Sequence, residues 1–144
     1  MVRAPVFLLV LSALGSACLI GCSSKPAKTF DVSGTVTFAD SPIPIGKIYF
    51  NPDFKKGNDG PQGCADIKDG KFDTRRTGHG HTGGPMVIRI EGFDGQGESP
   101  DSVGSPLFNA FEIKLELPKE ASVQKLEVPA SAAEGLVIPT GPGP

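Results

Sequence analysis

Several residue types that often carry chemistry are scarce in this chain of 144 residues, which has no Trp, one Tyr, two His and three Cys. Three Cys are too few for a disulfide framework or a four-thiolate zinc site. Basic residues are not in excess, since 14 Lys and Arg stand against 16 Asp and Glu. The uniform positive field that non-specific nucleic-acid binding requires is therefore missing, and we expect no nucleic-acid partner.

A long transmembrane run is also missing, because the apolar stretch over residues 6–20 is shorter than the about 20 residues that a membrane-spanning helix needs. It follows a single charge, Arg3, and ends in Leu19-Ile20-Gly21-Cys22 before polar Ser23-Ser24-Lys25. A charged start, an apolar run and small residues before a cleavage point are typical of a secretory signal. The segment predicts export rather than a membrane span.

The Cys at the end of this run resembles the lipobox of bacterial lipoproteins. The resemblance implies a lipoprotein signal peptide at 1–21, a diacylglyceryl group on the thiol of Cys22, and a tether over 22–29. Two acyl chains give the two signals that stable anchoring needs, so the expected location is the cell envelope, at the outer membrane or the periplasmic face of the inner membrane. The alternative is an ordinary secretory peptide that is cut elsewhere, with Cys22 incidental.

The chain has 19 Gly and 14 Pro, a content near the level at which disorder becomes an alternative. They cluster, however, between short runs with period-two alternation. Apolar residues alternate with polar ones over 30–38, and Asp69-Gly70 is a strong hairpin signal because both positions of a type I′ turn need positive φ. Alternation recurs at 47–50, 64–67, around 72, 86–91, 111–117 and 126–128. Seven short strands predict an all-β, antiparallel β-sandwich.

Two strand segments, Val32-Ser33-Gly34-Thr35-Val36 and Gly46-Lys47-Ile48-Tyr49-Phe50-Asn51-Pro52, resemble the opening of carboxypeptidase regulatory-like (transthyretin-like) domains. Later stretches are similar to small planctomycete lipoproteins that carry this domain. The resemblance covers about residues 30–130 and implies a seven-stranded, prealbumin-like Greek-key sandwich. The composition of residues 131–144 indicates a Pro/Gly-rich tail after it. In carboxypeptidases this module holds none of the catalytic residues, so the resemblance does not imply a peptidase.

The histidines are His79 and His81, which an extended segment would place on one face where they could share a metal. No third ligand is near in sequence, and no His-Glu-x-x-His motif or acidic calcium loop occurs. Flanking glycines predict a flexible, solvated loop over 75–84. No Gly-x-Ser-x-Gly elbow is present, so we expect no enzyme and no cofactor. A small metal-binding protein or hydrolase that uses these two histidines remains the alternative.

The remaining thiol, Cys64, has no expected partner inside the chain, because Cys18 lies in the removed segment and Cys22 is consumed by lipid. We therefore expect a free thiol on the outward side of a short strand. A thiol enzyme and an intermolecular disulfide are the alternatives.

The segment from 92 to 106 is long enough for a functional loop or a disordered one. Its aromatic flanks either pin the loop ends to the core or belong to a recognition surface for a glycan or an envelope protein. The candidate binding residues are Phe93, Asp94, Glu98, Asp101 and Phe108.

Alternating strand directions sort the connections into two ends of the sandwich. Loops 39–45, 68–71 and 92–108 form an acidic end. The opposite end carries a basic pole that we define as Lys55, Lys56, Arg75 and Arg76. The tether enters at this second end and reaches at most about 25 Å, so the basic pole is predicted to face an anionic membrane. The sequence thus predicts a membrane-anchored lipoprotein with a non-catalytic interaction or structural module, whose partner is unknown.

Overall fold

The computed structural model describes residues 27–99 and 102–136. Within them lie eight strands, one helical turn and two 3-10 turns: β1 (Val32–Phe38), β2 (Ser41–Pro42), β3 (Ile45–Pro52), the turn Phe54–Lys56, β4 (Gly63–Lys68), β5 (Lys71–Asp73), α1 (Thr74–Thr77), β6 (Gly84–Phe93), β7 (Phe111–Leu117), β8 (Ser122–Val128) and the turn Ala130–Ala133. All seven predicted strands are present, and the two-residue β2 is additional. The all-β fold class is confirmed. None of the helical segments in this part of the chain could cross a bilayer.

The strands form one hydrogen-bonded sheet that curls around the core, so that its two halves face each other as in a sandwich. Neighbours follow the order β2-β1-β5-β4-β3-β6-β7, and β8 pairs with β1. The predicted antiparallel arrangement holds for every described pair except β1 with β8, which run parallel from Val32 opposite Ser122 to Phe38 opposite Val128. Successive long strands reverse direction, so β1 and β8 point the same way when the curl brings them together.

The alternating pattern places one set of side chains inside the curl. Because neighbouring residues of a strand point to opposite faces, every second side chain of a strand faces inward. The buried apolar side chains are Val32, Val36, Ile43, Ile48, Phe50, Ala65, Ile67, Phe72, Met86, Ile88, Ile90, Phe108, Leu117, Leu126 and Val128. The predicted inward faces of the strands thus supply most of this core, together with Ile43 and Phe108 from outside the strands. On β7 only Leu117 is buried, and the other predicted inward residues, Phe111, Ile113 and Leu115, are half-buried against the core.

Two hairpin turns use left-handed backbone conformations. The predicted turn between β4 and β5 has φ of 50° at Asp69 and 69° at Gly70, which confirms the type I′ reading. The turn between β1 and β2 has φ of 46° at Ala39 and 66° at Asp40. Neither residue of this second turn is a glycine, so its local sequence carries no comparable hairpin signal.

The segment over 75–84 is not the flexible, solvated loop that its glycines predicted. After α1 the chain resumes extended pairing, with His79 opposite Cys64 and His81 opposite Phe30. A Cβ on Gly78 would lie 1.8 Å from a backbone oxygen, that of Cys64. These glycines therefore allow close strand packing rather than motion.

A candidate binding groove on the outer face of the sheet

The outer face of the curled sheet carries an open groove with a volume of about 1090 Å³. Strand alternation that buries Val32 and Ile48 turns their neighbours Ser33 and Lys47 outward, where they line the groove. Outward side chains of β1, β3, β4, β5, β6 and β8 contribute to the lining, together with α1 and Val103 of the long loop. The groove is therefore assembled from residues that are far apart in sequence.

Charge in the groove is balanced. Four basic and four acidic residues line it: Lys47, Lys68, Lys71 and Arg76, and Asp66, Asp69, Asp73 and Glu91. Lys47 Nζ lies 3.5 Å from Asp66 Oδ1 across the β3–β4 pair, and this carboxylate raises the pKa of Lys47. Glu91 accepts from Arg89 Nη2 at 2.8 Å. Several charges of the groove are thus already neutralised by neighbours.

Apolar and aromatic side chains lie between these charges. Tyr49 and Phe93 are half-buried lining residues on β3 and β6. Val123 is 79% exposed and Val103 is 38% exposed, and both also line the groove. A face with aromatic rings, exposed aliphatic groups and paired charges can bind a ligand that is polar without being strongly charged.

The long loop after β6 is held at its base by backbone pairing and by one carboxylate. Asp94 Oδ1 accepts from the backbone N–H of Gln96 at 2.8 Å and of Ser105 at 3.0 Å. The N–H of Leu107 donates to the Gly92 carbonyl at 2.9 Å. Asp94 therefore stabilises the loop's own structure through Oδ1, which accepts both hydrogen bonds.

Of the five candidate binding residues of this loop, the four that the structure describes do not form one surface. Phe93 lines the groove, whereas Phe108 is 3% exposed and its ring centroid lies 4.9 Å from that of Phe38. Glu98 is exposed, and Asp101 lies outside the described residues. Phe108 therefore fixes the loop to the core, which is one of the two predicted roles. Phe93 lies on the candidate binding surface, which is the other.

The two histidines lie in different environments. His81 is fully buried, its ring centroid is 6.2 Å from Phe30 and 6.1 Å from Phe50, and its burial lowers its pKa. Its Nδ1 accepts from the Gly83 N–H at 2.9 Å, and its Nε2 has no hydrogen-bond partner among the described residues. His79 is exposed. No group of three or more potential metal ligands occurs in residues 27–99 and 102–136.

The basic pole lies where β3 ends and β5 continues into α1. Lys55 and Lys56 are exposed in the 3-10 turn after β3, and Arg75 and Arg76 are exposed in α1. Arg75 Nη2 lies 3.0 Å from Asp73 Oδ2, and hydrogen bonds from this guanidinium lower the pKa of Asp73. Arg76 lines the groove. Membrane contact by this end of the molecule stays a prediction.

Of the cysteines, Cys22 lies outside the described residues, so its lipidation stays a prediction. Cys64 is half-buried on the outward side of β4 and forms no disulfide in the described part of the chain.

The alternating pattern predicts Lys47, Tyr49 and Asp66 on the outward faces of strands but does not group them as a site. The sequence signal for such a site was the chain's sole Tyr, Tyr49, which lies two residues after Lys47 on the same face of a strand. Grouping them needed the strand order, because Lys47 meets Asp66 only through the β3–β4 pairing.

Fold and groove together define the class of protein as an all-β sandwich with an open outer face. No family model matches the chain, and no curated protein matches it. Among solved structures, the chain is similar to a DUF3823 family protein from Parabacteroides merdae, with 18% identity and a TM-score of 0.38. The match covers 71% of this chain and 46% of that protein, so this chain spans less than half of its length.

Proposed function

We propose that this protein is a lipid-anchored envelope protein whose β-sandwich is a non-catalytic interaction module, with the outer groove as its binding surface. The observation that carries this proposal is the groove of about 1090 Å³ on the exposed sheet face. Anchoring is supported by the apolar run that ends in Leu19-Ile20-Gly21-Cys22. The resemblance of this run to a lipobox supports a position of the sandwich at a membrane surface of the cell envelope.

The ligand class follows from the lining of the groove. An anionic or cationic ligand would be attracted by an excess of one charge, but basic and acidic residues are equal in number here. Hydroxyl groups can donate to carboxylates and accept from ammonium groups, so paired charges such as Lys47 and Asp66 suit a sugar. The half-buried rings of Tyr49 and Phe93 offer apolar contact area for sugar rings. The proposed ligand is therefore a neutral glycan.

A non-catalytic role is supported by how the groove's ionisable groups are used. A general acid or base works best with a pKa near the operating pH. Asp66 raises the pKa of Lys47, and Arg75 lowers the pKa of Asp73. Both shifts move the pKa values further from neutral pH and keep these groups charged. Permanently charged groups suit binding better than proton transfer.

The alternative function, a metal-binding protein or hydrolase based on His79 and His81, gains no support from the geometry. His81 is enclosed in the core and His79 is exposed, so the side chains do not converge on one accessible position. A metal analysis of the purified protein tests this alternative. Stoichiometric zinc or copper that disappears when both histidines become Ala would favour it.

Binding is tested with the purified protein and neutral polysaccharides isolated from bacterial envelopes. Tyr49→Ala and Phe93→Ala each remove a groove ring, and we expect each to weaken binding by about tenfold. Phe54→Ala is the matched control, because Phe54 is an exposed aromatic that does not line the groove. Equal binding by all three variants and the unmodified protein would contradict a role for the groove.

Anchoring is tested separately by the intact mass of protein extracted from membranes. We expect a mass that begins at Cys22 and includes the lipid, and we expect a Cys22→Ala variant to leave the membrane fraction. An unmodified Cys22 thiol in the membrane-bound form would refute the anchor.

A further inference from the structure

The 3-10 turn Phe54–Lys56 exposes an aromatic side chain next to two cations. Phe54 is 71% exposed, the most of any described large aromatic residue, and Lys55 and Lys56 are both exposed. Single exposed apolar residues are common on protein surfaces, so the significance of Phe54 depends on the residues that surround it.

The turn is rigidly constructed. Asp53 is 6% exposed, its Oδ1 accepts from the Lys55 N–H at 3.1 Å, and its own N–H donates to the Pro85 carbonyl at 3.0 Å. The Asn58 side chain donates to the Pro85 carbonyl at 2.7 Å. Gly57 ends the turn at a φ of 73°. Phe54 is therefore held outward by a hydrogen-bonded turn.

The turn lies at the end of the sheet where the tether enters. Strand pairing puts the end of β3 and the beginning of β1 at the same end of the sheet. β3 is three strands from β1, which corresponds to about 14 Å at roughly 4.8 Å per strand. The tether over 22–29 reaches at most about 25 Å. A lipid on Cys22 would thus keep the turn within reach of the headgroups.

We propose that the turn Phe54–Lys56 docks on the anionic bilayer surface, with Phe54 inserted at the interface and Lys55 and Lys56 against lipid phosphates. This rests on the proposed function, because the lipid anchor brings the turn to the membrane. Aromatic side chains beside Lys are the composition of interfacial membrane contacts. The contact gives the tethered domain a defined orientation.

Acidic residues at the same end of the sheet restrict the proposed membrane contact to the turn Phe54–Lys56. Three exposed acids at the same end offset half of its six exposed basic residues; the acids are Asp31, Asp59 and Glu120, and the bases are Lys28, Lys55, Lys56, Arg75, Arg76 and Lys119. Asp53 is buried beneath the turn with its carboxylate accepting from the backbone, which leaves the two lysines free to face outward. Docking is therefore assigned to the turn and not to the basic pole as a whole.

The orientation has a consequence for the groove. Val103 belongs to the loop at the opposite end of the sheet from the turn, as the β6 register shows. With Phe54 at the membrane, the outer face extends away from the bilayer along the strands. The groove then stays open to ligands in the envelope.

The test uses a Phe54→Trp variant of the lipidated protein, because the chain has no other Trp. The protein is reconstituted into vesicles that contain bromine-labelled phospholipids, with and without anionic lipid. We expect quenching of the Trp emission in anionic vesicles, weaker quenching in neutral ones, and loss of quenching as salt screens the lysines. A Val103→Trp variant is the matched control and should stay unquenched.

Two further measurements separate the contact from the anchor. Lys55→Gln with Lys56→Gln in the Phe54→Trp background should lower the membrane-contact equilibrium constant by about tenfold to thirtyfold, while Lys114→Gln with Lys125→Gln should not change it. Intact mass reports the lipid on the same preparations. A lipidated protein with unquenched Trp at position 54 would overturn the docking inference alone. Quenching without lipid on Cys22 would support the contact and refute the anchor.

Discussion

Replacing His81 by Asn should remove a pH-dependent part of the stability of this fold. His81 is fully buried, and its Nδ1 accepts from the Gly83 N–H at 2.9 Å. The neutral ring therefore carries its proton on Nε2, which has no partner in the described residues. Burial lowers the pKa of His81, and Asp31 opposes part of this lowering. An Asn side chain can accept the same backbone hydrogen bond but does not titrate.

The sign of the effect follows from proton binding. With a lowered folded-state pKa, the unfolded chain binds the His81 proton more readily than the folded protein does. The contribution of His81 is therefore complete above the unfolded pKa of about 6.5 and is lost as the pH falls from there to the folded-state pKa, where the loss ends. One proton gives a slope of at most about 1.4 kcal/mol per pH unit.

The assay is urea unfolding between about pH 5 and about pH 7.5, with the free energy of unfolding compared at each pH. His81→Asn should lower stability by about 1 to 3 kcal/mol at the upper pH, because ring contacts with Phe30 and Phe50 are lost. The difference from the unmodified protein should shrink as the pH falls. His79→Asn is the matched control at an exposed histidine. A difference that stays constant with pH would refute the buried neutral imidazole.

Three further predictions address the sheet, a turn and the thiol. Gly34→Ala should cost about 2 to 4 kcal/mol in urea unfolding, because its Cβ would lie 1.8 Å from the Gln124 carbonyl oxygen across the β1–β8 pair; unchanged stability would contradict that close approach. Ala39→Asn with Asp40→Gly should raise the melting temperature, with a gain of about 1 kcal/mol, because both positions have positive φ; a lower melting temperature would count against the turn geometry. Cys64 should be alkylated stoichiometrically in denaturant without reductant, and failure to label would indicate an intermolecular bond.

Local pattern was sufficient to predict the strands, the inward faces and one hairpin. Alternation over residues 30–38 identifies β1 because a strand turns successive side chains to opposite faces. Asp69-Gly70 identifies its turn because few residues adopt positive φ at low cost. Both signals come from residues that are adjacent in the chain, so no knowledge of the neighbouring strands is needed.

The glycines of the 75–84 segment led to a wrong prediction of its structure. Gly78 and Gly80 predicted a flexible loop, but their missing side chains let β4 and residue 30 approach closely. A glycine can serve motion or close packing, and only the position of the next strand distinguishes the two. The same ambiguity hid the burial of His81, which lies between rings that are distant in sequence.

By itself the sequence determined that the described chain is all-β, which faces of its strands are apolar, and that the apolar run ending at Cys22 resembles a lipoprotein signal. Tertiary structure alone decided that β1 and β8 pair in parallel, that the outward residues of six strands form one groove, and that Phe54 is held outward beside Lys55 and Lys56. The physical reason is the distance along the chain over which each kind of interaction acts. Backbone geometry and turn preferences act between near neighbours, whereas a binding surface requires the strand order and the curl of the whole sheet.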